Sequence, residues 1–123
     1  MLKIISRLHD DYAGEVVEFH HGCCIGADSE AHHIAVVNRC HLVFHPPINQ
    51  SKANLSLICD EERPAKEYLD RNHDIVNETD WMIACPKSQT EELRSGTWAT
   101  VRYARKQKKQ IVIIYPDGSV ILE

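Results

Sequence analysis

The segment between Trp81 and Tyr115 constrains the fold more than any other. It opens with WMIAC (81–85), an apolar run stopped by Pro86, and closes with IVIIY (111–115), the least ambiguous strand in the chain. Between them, residues 95–109 place Trp98, Val101 and Ala104 or Arg105 on one helical face, and the cations of the last turns suit the negative end of the helix dipole. Strands alternating with helices, each strand nearly all apolar, indicate a parallel sheet covered on both faces.

The same pattern occurs earlier. EVVEFHH (15–21) is β-branched and aromatic and runs into Gly22. Ala27, Ala31, Ile34 and Ala35 then share a helical face, with Asp28 suited to cap it. CHLVFH (40–45), closed by Pro46 and Pro47, is a second buried strand. Residues 2–12 carry Leu2, Ile5 and Leu8 at helical spacing, ending near Gly14. Residues 48–64 read as an irregular polar loop, 65–78 as a helix or broken helix, and 119–122 as a short edge strand. The expectation is an α/β protein with a mostly parallel sheet covered on both faces. In such folds ligands bind beyond the carboxyl ends of the strands, so segments 22–28, 46–63 and 86–97 matter most.

Size and charge narrow the alternatives. A chain of 123 residues fits one domain, 1–123. The net charge of -4 argues against a protein built to coat duplex nucleic acid. No apolar run approaches the roughly 20 residues of a membrane span, and no secretory leader pattern is seen. Five cysteines without framework spacing read as reduced thiols of a cytoplasmic protein.

Chemistry-bearing residues fall in the post-strand segments. In HGCCIGAD (21–28), Gly22 and Gly26 allow a tight turn and close backbone approach to a ligand, ahead of a helix start with free N–H groups. The plainer reading is a strand-to-helix turn capped by Asp28. RSGTWATVRYAR (94–105) opens a helix with Ser95, Gly96 and Thr97, suited to the oxygens of a phosphate, and Arg94 and Arg102 would add charge-assisted bonds. The plainer reading there is a Ser-capped helix with a solvated basic face, preferred outright for 105–109. YLDRNHDIV (68–76) offers Arg71 and Asn72, although an arginine in such a helix is ordinarily on the surface. His20, His21 and Pro46, at the ends of the first two strands, complete the expected ligand contacts.

Zinc ligands are available in His20, His21, Cys23, Cys24, His32, His33, Cys40, His41 and His45. The doubled His20-His21, Cys23-Cys24 and His32-His33 lack the spacing of structural zinc sites, and His21, Cys24 and a histidine of the next helix would converge only by chance. Neighbours on a strand point to opposite faces and do not easily share one ion. No metal and no other cofactor is expected, and Cys85 reads as core.

Three stretches, HHGCCIGADSEAHHIA (20–35), RNHDIVNETDWMIACP (71–86) and SGTWATVRYARKQKKQIVIIYPDG (95–118), together resemble the SLOG superfamily. This is the Rossmann-like group that includes the DprA/Smf and LOG (lysine-decarboxylase-like) proteins. The chain looks closest to its small bacterial and phage members. The resemblance implies a Rossmann-like three-layer sandwich with about four to five strands. It also implies a nucleotide or nucleotide-derived small molecule held at the strand ends. By carry-over, Gly22, Gly26 and Asp28 and the helix start Ser95, Gly96 and Thr97 would line the pocket, and Arg71 and Asn72 match the family's Arg-Asn pair.

The chain departs from the family pattern twice. LOG-type enzymes, which hydrolyse the N-glycosidic bond of nucleoside monophosphates, carry a glutamate where this chain has Thr100, and a neutral hydroxyl cannot replace a carboxylate in that chemistry. A sensor or sequestering module is therefore expected. The alternative is an N-glycosidic-bond hydrolase or transferase using Glu30, Asp28 or Asp74, and no catalytic residue is assigned. Second, the family's first, glycine-containing strand is missing, or shortened to residues 2–6. A gap in a parallel sheet exposes backbone groups, so a second copy or residues 119–122 are expected to fill it, and a homo-oligomer is expected. DNA handling fits the acidic charge least.

Overall fold

In the computed structural model, which describes residues 17–22, 27–49 and 58–123, three helices and six strands are divided between two units, Met1–Glu67 and Tyr68–Glu123. The expected helix at 2–12, the shortened strand at 2–6, residues 15 and 16 of the first strand, Cys23, Cys24 and Gly26 lie outside the described residues.

The first unit contains β1 (Glu18–His21), α1 (Ala27–Val37), β2 (His41–Phe44) and β3 (Glu61–Glu62). All three strands are parallel, in the order β1-β2-β3, with Glu18 opposite His41 and His21 opposite Phe44. The helical face read from sequence is the buried one: Ala31 and Ala35 are buried, and Ala35 packs with Cys40 and Leu42 against Phe19. Alternation along β1 and β2 therefore assigns Phe19, His21, Leu42 and Phe44 to the α1 side of the sheet, and Glu18, His20 and Val43 to the other. The polar loop expected at 48–64 contains β3. Its backbone pairs with β2, the Asp60 carboxylate accepts the Leu42 N–H at 2.8 Å, and Pro47 bridges to Lys66. Residues 50–57 of that loop lie outside the described residues.

The second unit contains α2 (Tyr68–Glu78), β4 (Trp81–Ala84), α3 (Gly96–Lys106), β5 (Gln110–Ile114) and β6 (Val120–Leu122). β4 and β5 are parallel across α3, and β6 returns antiparallel on β5. Its core is Val76 of α2, Ala84 of β4, Trp98, Val101 and Ala104 of α3, and Ile111 and Ile113 of β5. Truncating either isoleucine to alanine would cost about 2–5 kcal/mol. Both helices pack on this one cluster, and Tyr103 ties them together by stacking on His73 at 3.8 Å and donating to Asn77 Oδ1 at 2.8 Å.

The architecture is thus mixed α/β, with two three-stranded sheets, one wholly parallel and one mixed. It differs from a single sheet of four to five strands, because among the described residues β3 joins only β2 and β6 joins only β5. No helix among the described residues is long and apolar enough to cross a membrane.

Candidate functional site

Each unit contains one β-α-β passage with parallel strands, so each has strand carboxyl ends and a helix amino end facing the same way. The expected site residues fall into two sets, one per unit.

In the first unit, His21, Gly22 and Pro46 meet at the carboxyl end of the β1–β2 pair. The His45 N–H donates to the His21 carbonyl at 2.9 Å, and the Pro46 carbonyl accepts from the Lys66 N–H. Gly22 and Pro46 are buried. Asp28 lies inside the first turn of α1, which begins at Ala27, rather than ahead of it as a cap.

The doubled histidines do point to opposite faces, and each finds another histidine far away in sequence. On the α1 side, His21 Nε2 lies 3.1 Å from His32 Nδ1, and both rings pack on Phe44. Burial, helped by the neighbouring His33, holds His32 below the ordinary histidine pKa. On the other side, His20 Nδ1 lies 2.8 Å from His45 Nε2, and His20 Nε2 lies 2.9 Å from Glu18 Oε1. His32 and His45 are among the ligands that the sequence offers, but their pairing with His21 and His20 needs the strand register and the helix position.

The first unit also has a groove of about 530 Å³ beside α1, lined by His33, Val36, Cys40, Ile58, Cys59 and Asp60. Burial raises the pKa of both thiols, and Glu62 and Asp60 raise that of Cys59 further, so neither is an activated nucleophile.

In the second unit the expected residues sit on two elements. Ser95 is the N-cap of α3: its backbone is extended and its hydroxyl accepts the Trp98 N–H at 3.3 Å. Gly96 is exposed, and a Cβ built there would meet nothing within 4 Å. The N–H groups of Gly96 and Thr97 belong to the first turn, where no intrahelical acceptor exists. Arg71 is 4% exposed, against the surface position expected of it. Its Nε–H donates to Asn72 Oδ1 at 2.8 Å and its guanidinium lies 5.1 Å from the Tyr68 ring centre. Thr100 is buried and donates its hydroxyl to the Gly96 carbonyl at 2.9 Å, closing a turn of its own helix.

Of the arginines of α3, Arg102 donates to Glu91 and to the carbonyls of Glu92 and Leu93, so it ties down the preceding loop. Arg105 lies on the exposed face expected for 105–109, where it bridges Glu91 at 2.9 Å and Glu123 at 3.0 Å.

The chain matches no protein-family model, no curated protein and no solved structure.

Proposed function

We propose that this chain is a Rossmann-like module of the SLOG type that binds a nucleotide or nucleotide-derived small molecule at the carboxyl ends of its parallel strands. The observation that carries the reading is the start of α3. There an open, exposed Gly96 between Ser95 and Thr97 follows strand β4 in a parallel β-α-β passage, the arrangement in which main-chain N–H groups take up phosphate oxygens. Arg71 and Asn72 of α2 belong to the same reading: the buried Arg71 donates its Nε–H to Oδ1 of the half-buried Asn72, which holds the guanidinium in a fixed place. The single three-layer sandwich, the homo-oligomer and the absence of a duplex nucleic-acid partner belong to the same reading. Binding without turnover is preferred over N-glycosidic cleavage because the Thr100 hydroxyl is engaged with the Gly96 carbonyl and supplies no carboxylate.

Calorimetry with AMP, NAD and cyclic ADP-ribose, followed by chromatography of the mixtures, tests this. Saturable binding of at least one, with no product, is expected. Gly96→Ala should fold as well as the parent, because its Cβ meets open space, yet bind at least tenfold more weakly because the methyl occupies the approach to the N–H groups. Unchanged affinity in that variant, or no binding of any of the three, would contradict the proposal. Release of free base or nicotinamide would identify the enzyme instead.

A further inference from the structure

We propose that His20 Nδ1 and His45 Nε2 are two ligands of a divalent transition-metal ion. The register Phe19↔Leu42 and His20↔Val43 assigns His20 to the sheet face that carries Val43, and His45, two residues beyond Val43, continues that row. The two ring nitrogens face each other at 2.8 Å. Ligands at right angles around an ion with bonds of 2.0–2.1 Å stand ~2.9 Å apart, and tetrahedral ones ~3.3 Å apart. The rings therefore need to open by no more than about half an ångström to admit an ion.

Glu18 decides which nitrogen of His20 is available. An ionised carboxylate only accepts hydrogen bonds, so the His20 Nε2 that lies 2.9 Å from Glu18 Oε1 carries the proton. Nδ1 then presents a bare lone pair towards His45. A carboxylate that orients one imidazole nitrogen while the other meets a cation is the usual second-shell support of a histidine ligand. Glu18 and His20 are two apart on β1, so alternation brings them to one face without any special loop. The His20 side chain is 1% exposed and His45 is 1% exposed, which keeps the facing nitrogens away from bulk water. The ion displaces the proton that one facing nitrogen must otherwise carry. Two neutral imidazoles favour zinc, cobalt, nickel or copper over magnesium or calcium.

On the other face His21 and His32 also approach, at 3.1 Å, with both rings packed against Phe44. Neighbouring histidines on a strand do not share an ion, whereas the ligand pair proposed here is 25 residues apart and lies on one face.

The full chain, stripped with chelator, is titrated with cobalt(II) and zinc(II). One equivalent of cobalt is expected to bind with visible ligand-field bands and no thiolate charge-transfer band, and zinc should displace it. His45→Gln should lower the affinity at least a hundredfold, and Glu18→Gln by ten- to a hundredfold. Glu18 is half exposed, so Glu18→Gln tests the ion site even if the buried variant fails to fold. Absence of a stoichiometric cobalt complex, or affinity unchanged in Glu18→Gln, would overturn the proposal.

Discussion

At the scale of the residue, the histidines of the first unit differ by surroundings, and their titration should show it. His32 is buried beside His33, which favours its neutral form. His41 hydrogen-bonds Glu61 at 2.7 Å, with Asp60 close by, which favours its charged form. Two-dimensional NMR of the imidazole protons should place His32 below the ordinary value of 6.5 and His41 above it. The stability consequences have opposite signs. The unfolded chain binds the His32 proton more readily than the folded one, so stability falls as pH drops below 6.5. His41 contributes fully below 6.5, and that contribution is lost as pH rises through its raised folded value. His32→Gln should therefore flatten the acid side of the stability curve and His41→Gln the alkaline side. A His32 that titrates above His41 would contradict this assignment.

At the scale of the element, α3 and β5 were legible because their cues are local: Ser95 ahead of an apolar stripe, and a run of isoleucine and valine longer than any loop tolerates. The helix ends were not. Both α1 and α3 end on a residue in the left-handed region, Arg39 and Lys108, each with φ of 58°. The Cys40 N–H reaches the Ala35 carbonyl and the Arg39 N–H that of Val36, with Lys109 and Lys108 repeating the pattern on Ala104 and Arg105. This is the Schellman cap without its glycine, so no glycine marked the stop and the basic run to Lys109 looked like more helix. Lys108→Gly is expected to raise unfolding stability by about 0.5–1 kcal/mol in urea titration, as left-handed strain is relieved against added chain entropy. A loss of stability would mean that the lysine side chain matters more than its backbone. β3 was illegible for a different reason. Glu61 and Glu62 are exposed acidic residues that belong to a strand only because their backbone meets β2.

At the scale of the whole molecule, the alternation of apolar runs with amphipathic stretches was enough to foresee an α/β protein with parallel strands, which β1 with β2 and β4 with β5 provide. It could not foresee how pairing continues beyond each pair, because that depends on edges formed by segments with weak patterns of their own. The site was legible in the same proportion. Ser95, Gly96 and Thr97 announce a helix start by residue type, but the burial of Arg71 and the two histidine pairs depend on residues brought together by register and packing. The doubled histidines were read from their spacing as pointing apart, which they do. Which distant histidine meets which, His45 with His20 and His32 with His21, follows only from register and packing.

The central claim is that the strand ends hold a nucleotide-derived molecule, and native mass spectrometry of the intact protein tests it most directly. With AMP, NAD or cyclic ADP-ribose present, or as a passenger from the expressing cells, the account predicts a stoichiometric adduct on the 14.1 kDa chain that is released intact on denaturation. A protein that stays adduct-free through all three additions, and leaves purification with no nucleotide bound, would contradict it.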